Sequence, residues 1–234
     1  MSDTSQQSVS RGVRRRLAQI ALMLLIMGLA VFLPAGTLRW TWGRVYIGLY
    51  IGGILILGVF MLRTGWEIMA RRSETAGMKD WDKIVGGLWG IAYFVLTPVV
   101  AGLDFRFGWT GRVSVVVHLS GVVAFALGFG LFGWAMLTNA HFSTVVRVEQ
   151  EAGQVPHTEG PYRIVRHPGY LGAVAQSLSV PLLLGSAVAL LPAVAAAVLM
   201  IVRTHLEDDT LREELPGYND YTKDVPYRLV PGIW

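Results

Sequence analysis

The sequence contains no cysteine. That excludes disulfides, thiol nucleophiles and thiolate metal sites together. Charge is scarce as well: 15% of 234 residues are Asp, Glu, Lys or Arg, where a soluble domain carries about a quarter. Hydrophobic residues make up 53%, so much of the folded surface is expected to lie out of water. The net charge of +4 is small and fits inner-face loops of a membrane protein rather than nucleic-acid binding. No two of the five histidines are four residues apart, so the H-E-x-x-H zinc signature is missing, and no G-x-S-x-G elbow marks a serine hydrolase. No metal is expected. Repeats and low-complexity segments are absent. No cleavable leader is expected either, because Met1–Ser10 is polar and the first apolar run lacks a small-residue cleavage site.

What the chain has instead is long uncharged runs. Met1–Ser10 reads as a disordered start. Arg11, Arg14, Arg15 and Arg16 precede the first run, Leu17–Leu33, and place the N-terminus in the cytoplasm. Val45–Leu62, Ile84–Leu103 and Val113–Leu137 are the next spans. Arg39, Trp40, Trp42 and Arg44 read as an interfacial anchor on the far side. The loop Arg63–Lys83, with Arg71, Arg72, Lys79 and Lys83, returns to the cytoplasm, with Trp66 and Trp81 at the interface. Gly128–Gly133 satisfies G-x-G-x-x-G but lies inside an apolar helix, where backbone N–H groups are already used. These glycines, with Gly48/Gly52 and Gly86/Gly90, read as close-packing positions. His118 reads as a hydrogen-bonded packing residue.

Asn139–Pro168 is polar and holds His141, Arg147, Glu149, Glu151, His157 and Glu159. The stretch from Gly160 to Gly172 that closes it is rigid and cationic: Pro161 and Pro168 fix φ, Tyr162, Arg163, Arg166 and His167 crowd between them, and Tyr170 follows. Tyr170–Val202 then carries no charge. A straight helix of that length would run roughly 50 Å, too long for one span. Pro181, Gly185-Ser186 and Pro192 offer a break, so a hairpin of two short arms is expected, Tyr170–Leu184 and Ala187–Val202. It brings Asn139–Gly172 beside Arg203–Trp234, where Arg203, Glu207, Asp208 and Asp209 open an amphipathic helix stopped by Pro216-Gly217. Arg166, His167 and Arg203 against Glu207, Asp208 and Asp209 suit a ligand carrying both charges. Arg203 and Glu207, four residues apart, share a helix face. The closing Pro231–Trp234 reads as docked.

Gly160-Pro161-Tyr162, Arg166-His167-Pro168-Gly169-Tyr170-Leu171-Gly172, the uncharged hairpin, Arg203, Glu207-Asp208, Pro216-Gly217-Tyr218, Tyr221 and Tyr227-Arg228-Leu229-Val230-Pro231 follow in one order. That pattern resembles the isoprenylcysteine carboxyl methyltransferase and phospholipid methyltransferase family, over Asn139–Trp234. His141-Phe142-Ser143 resembles the lead-in of bacterial members. With the spans read above, this gives an all-α integral membrane protein with about six membrane segments, the last two a hairpin, and the resemblance implies a cytoplasmic cofactor pocket. Residues 1–16 would be a cytoplasmic tail, 17–138 a four-helix membrane region and 139–234 the methyltransferase core.

The family further implies S-adenosyl-L-methionine as cofactor and a lipid-like acceptor arriving from the bilayer, an isoprenylcysteine-type carboxylate ahead of an amine. Arg203 and Glu207 take the catalytic positions. Gly160, Pro161, Tyr162, Arg166, His167, Pro168, Tyr170, Glu207, Asp208 and His141 take the cofactor positions. The implied location is the inner membrane of a prokaryote, with both termini cytoplasmic. One departure stands out: where the family has paired glutamates, the second here is Asp208, followed by Asp209. With the closing Tyr-Arg-Leu-Val-Pro this also resembles NADPH-dependent membrane sterol reductases, which usually lack Pro168. A non-enzymatic membrane protein is the third alternative.

Overall fold

The computed structural model describes residues 3–61, 77–148 and 153–234, with side chains from Ser10 onward. Among these residues every regular element is helical. Trp66, Arg71, Arg72, Glu149 and Glu151 lie outside the described residues.

The first helix, α1 (Asp3–Ala35), starts well before the apolar run. From Asp3 onward the start expected to be disordered is therefore helical. Residues 3–16 contain no proline and one glycine, Gly12, and extending an existing helix needs no new nucleus. Next come α2 (Thr41–Met61) and α3 (Asp80–Ile91). A π turn (Ala92–Leu96) joins α3 to α4 (Thr97–Phe107). Pro98 explains the turn: it has no N–H and would clash with the carbonyl four residues earlier, and the wider turn absorbs that conflict. The Ala92 carbonyl accepts both the Thr97 N–H and, at 2.8 Å, the Thr97 hydroxyl.

The chain continues with α5 (Val115–Thr138), a 3₁₀ turn at Gly160–Arg163, α6 (Pro168–Leu184), α7 (Leu190–Glu214) and α8 (Tyr218–Asp224). Among the described residues five helices are long and apolar enough to cross a membrane: Ser10–Ala35, Thr41–Met61, Asp80–Phe107, Val115–Thr138 and Leu190–Glu214. Their outward faces carry Leu22, Leu55, Leu88, Leu127 and Val198, all exposed, as lipid contact requires.

The expected sixth segment, α6, is shorter at 17 residues. It is also the most enclosed. Gln176, Ser177 and Ser179 are buried along it, so it need not be apolar all round. The second hairpin arm is not short: α7 runs unbroken through Arg203 to Glu214. Pro192 stands in its first turn, where proline is tolerated, so only Gly185 breaks the hairpin. Gly185 adopts φ +73°, and a Cβ there would lie 2.3 Å from His118 Cε1.

Helix α6 packs along α5 and against α7, α3 packs on α7, and α1 on α4. The α5–α6 approach is close: a Cβ on Gly172 would stand 2.6 Å from the Gly128 carbonyl oxygen. Gly48, Gly52, Gly90 and Gly130, also expected to pack, have nothing within 4 Å of such a Cβ. Glycine spacing marks a smooth face but not the partner that covers it. The core between helices is aromatic, with Tyr46, Tyr50, Tyr93 and Phe125 buried together. The Tyr50 hydroxyl donates to that of Tyr93.

Trp40, expected at an interface, is buried and stacks on Phe105 at 4.7 Å. His118 is the packing residue expected: its Nδ1 lies 2.8 Å from the Leu183 carbonyl oxygen, and its ring stacks on Trp42 at 4.2 Å. Successive helices reverse direction. The 36–40, 108–114 and 185–189 turns therefore gather at one end, where Asp104 accepts from Ser186 and Thr110. The segment after α5, the start of α6 and the end of α7 gather at the other.

Candidate functional site

At that second end the backbone closes on itself. The N–H groups of Arg166 and His167 donate to the carbonyls of Tyr227 (2.9 Å) and Arg228 (3.0 Å). The proline-fixed loop and the tail are thus joined directly, as the sequence led one to expect. Pro168 occupies the first turn of α6, which ends the loop and leaves His167 facing inward.

Behind the junction lies one carboxylate, Asp208, completely buried. Arg166 Nε and Nη2 donate to it at 2.7 and 3.0 Å. His167 Nε2 is 3.1 Å away, and the Tyr218 hydroxyl donates at 2.9 Å. Arg212 Nε and Arg228 Nε complete the shell at 3.1 and 2.9 Å. Every lone-pair direction of the carboxylate is in use. Burial opposes the charge on Arg166, but the Asp208 hydrogen bond and charge outweigh it and hold the guanidinium above its ordinary range. Burial, then the Asp208 charge, pushes the Tyr218 hydroxyl well above its own, so it stays a donor.

In front of the junction is a cleft between residues 139–147, residues 154–157, α6, α7 and α8. Its empty space, open mouth included, is about 720 Å³. His141, Tyr162, Arg166, His167, Tyr170 and Glu207 line it. The other four residues expected at the cofactor stand behind the wall. Gly160 and Pro161 build the 3₁₀ turn that presents Tyr162, Pro168 starts α6, and Asp208 is the buried hub. Adjacent acids on α7 therefore divide: Asp208 points into the network and Glu207 into the cleft. The Tyr170 hydroxyl donates to Glu207, and its ring stacks against His167 with centroids 5.8 Å apart.

Arg203 lies beyond Tyr170, its Cζ 5.2 Å from the ring centroid. Its carboxylate partner is not Glu207 but Asp82 of α3, with Nε to Oδ1 at 2.7 Å and Nη2 to Oδ2 at 3.0 Å. Tyr170 therefore separates the cleft from this second buried pair and touches both. Asp82 carries no signal in the sequence, because nothing in its loop-like surroundings points to a partner 121 positions away. Phe142 and His157 also line the cleft. His157 Nε2 is buried with no hydrogen-bond partner among the described residues. Burial lowers the His157 imidazole below its ordinary value; the Glu159 charge partly offsets this and His141 adds to it.

The donor set fits a zwitterionic, cationic cofactor with an aromatic base. Glu207 suits an ammonium or ribose hydroxyls, tyrosine rings suit a sulfonium, Arg166 and His167 suit a carboxylate, and the orphaned His157 nitrogen asks for a partner. The isoprenylcysteine carboxyl methyltransferase (ICMT) family model matches residues 121–213, which supports the family that the sequence resembles. The matched region holds α6, α7 and the first part of the cleft wall. No curated protein matches the chain.

Proposed function

We propose that the cleft binds S-adenosyl-L-methionine and that the chain transfers its methyl group to a lipid-like acceptor bearing a carboxylate, reached from the bilayer beside Arg203. One observation carries the reading. Tyr170 forms the wall between the cleft and Arg203, with its hydroxyl on Glu207 and its ring under the guanidinium. A cofactor site and an acceptor-anion site then share one side chain, the proximity an in-line displacement needs.

The bound cofactor supplies an electrophilic methyl on a sulfonium that is already a good leaving group. The rest is positioning by this chain. Glu207, oriented by Tyr170, takes the cofactor's positive end or its ribose. Arg166, its three guanidinium nitrogens held by Asp208 and the Val225 carbonyl, lends positive charge to the opposite end of the cofactor, with His167 beside it in the wall. His157 and His141 close the side formed by residues 139–147 and 154–157. Phe142, Leu211 and Leu215 line the cleft with apolar surface, which keeps water from the reacting centre. Arg203 holds the acceptor carboxylate so that one oxygen faces the methyl group. A carboxylate is already a nucleophile at neutral pH, so no general base is required.

The cleft is read as cytoplasmic. It shares its end of the bundle with the start of α1, where Arg11, Arg14, Arg15 and Arg16 stand, and such clusters stay on the inner side. In that reading α6 is a sixth traverse, about 25 Å long at 1.5 Å per residue, shielded from lipid by α5 and α7. Both termini then face the cytoplasm, and in a prokaryote the membrane is the inner one.

The test is transfer of a radiolabelled methyl group from S-adenosyl-L-methionine to total membrane lipid by the purified protein. Label in a base-labile lipid ester is expected. Label in a base-stable amine would replace the carboxylate acceptor, and no label above a Glu207→Gln control would remove the enzyme.

A further inference from the structure

A buried guanidinium needs a counterion even when no substrate is present. Arg203 is 5% exposed, and Asp82 is 2% exposed. The pair is bidentate. Asp82 does more than neutralise: its Oδ2 also accepts the Val146 backbone N–H at 2.7 Å. Beside it, the Lys79 N–H donates to the Val146 carbonyl at 3.0 Å. Arg203 Nη2 in turn donates to the Thr144 carbonyl at 2.9 Å. One carboxylate therefore ties the start of α3, the 144–146 segment and α7 into a single frame around the guanidinium.

That frame occupies one edge of the fork. Nε and Nη2 make all the hydrogen bonds of Arg203 among the described residues, and Nη1 makes none. The Tyr170 ring covers one face. Close by on α3 stands Gly86, where a Cβ would lie 3.2 Å from Asp82 Oδ1 and 3.8 Å from Arg203 Cζ. One helical turn further on, Gly90 has nothing within 4 Å. Gly86 thus lies against the paired Nε edge, also 3.8 Å from Nε, where a larger residue would press on the Asp82 carboxylate.

We infer that Asp82 is a positioning residue for the acceptor: it fixes Arg203 so that Nη1 is the donor left for the acceptor carboxylate. This rests on the methyl-transfer reading above. The charge logic fits an acceptor that loses its charge in the reaction. Methylation turns a carboxylate into a neutral ester, which would strand an uncompensated buried cation if Arg203 had no permanent partner. With Asp82 in place the site is balanced before binding and after transfer, so the ester can leave.

The experiment uses the full chain in detergent, radiolabelled S-adenosyl-L-methionine, an S-prenylated thioether carboxylic acid as probe, and its carboxamide as control. Calorimetry with S-adenosylhomocysteine runs in parallel. Asp82→Asn is expected to raise KM for the acid about 10- to 100-fold, the range for a displaced charge-assisted hydrogen bond. The S-adenosylhomocysteine Kd should stay within about twofold, and Asp82→Glu should recover part of the loss. An unchanged KM, or a fall in kcat alone, overturns the inference. If Asp82→Asn no longer binds S-adenosylhomocysteine, Gly86→Ala, whose methyl would stand 3.2 Å from Asp82 Oδ1 and press on the ion pair, decides in its place. It should raise KM for the acid with cofactor binding intact, and an unchanged KM overturns the inference. Failure of the unaltered protein to bind S-adenosylhomocysteine or to methylate the acid sinks the methyl-transfer reading instead, and the role of Asp82 with it.

Discussion

Asp208→Asn changes one oxygen to nitrogen and keeps the shape of the side chain. Its consequence follows from what surrounds the carboxylate. Arg212 and Arg228, with side chains 38% and 20% exposed, recover hydration once the charge is gone, so their share is small. Arg166 cannot: its side chain is 2% exposed and both Asp208 contacts are lost as charge pairs. Removing one partner of such a buried pair costs about 3–5 kcal/mol. In a chain of this size each kcal/mol moves the unfolding midpoint by about 2–4 °C, so the drop is about 6–20 °C. Intrinsic tryptophan fluorescence during a thermal ramp in detergent reads it. The neighbouring Glu207→Gln is the control: its carboxylate faces the cleft and accepts from Tyr170, so the midpoint should move by under about 3 °C. A midpoint for Asp208→Asn that falls no further than that of Glu207→Gln would refute the hub.

Other consequences are as specific. Glu207→Gln should weaken S-adenosylhomocysteine binding by about tenfold or more, the scale of a charge-assisted hydrogen bond; a calorimetric Kd equal to that of the unaltered protein would remove Glu207 from the site. Tyr170→Phe keeps the ring under Arg203 and loses the bond to Glu207, so cofactor affinity should drop about three- to tenfold, as the same titration reads. Gly172→Ala places a methyl against the Gly128 carbonyl and should destabilise the α5–α6 contact by about 1–3 kcal/mol; an unchanged unfolding midpoint would contradict that packing. The His157 imidazole sits below its ordinary value of 6.5, so between the two values the unfolded chain binds more protons. Its stabilising contribution is complete above pH 6.5 and is lost as pH falls through the folded value. A pH series of midpoints should show this loss, and His157→Phe should flatten it.

Much of this was legible in the order of residues. Uncharged runs of span length announce their helices, because a lipid-facing helix has no other composition open to it. The loop from Gly160 to Gly172 is legible for the opposite reason: two prolines and a cluster of cations have no place inside a span. What stayed hidden depends on which way side chains turn. Glu207 and Asp208 are adjacent and chemically alike, yet only the helical phase of α7 sends one to the cleft and the other to Arg166. Arg203 and Glu207 share a face by spacing, but a buried carboxylate on another helix competes better than a neighbour on the same one. The second arm reads as short because Arg203 and the acids after it look like the opening of a separate amphipathic helix. Here their charges are neutralised by Asp82 and by the hub's arginines, so α7 continues through them.

Isothermal titration of the purified protein with S-adenosylhomocysteine and, separately, with NADPH tests the central claim most directly. Saturable binding of S-adenosylhomocysteine, weakened by Glu207→Gln, with no heat from NADPH, is the predicted result. Binding of NADPH in the absence of any for S-adenosylhomocysteine would contradict it.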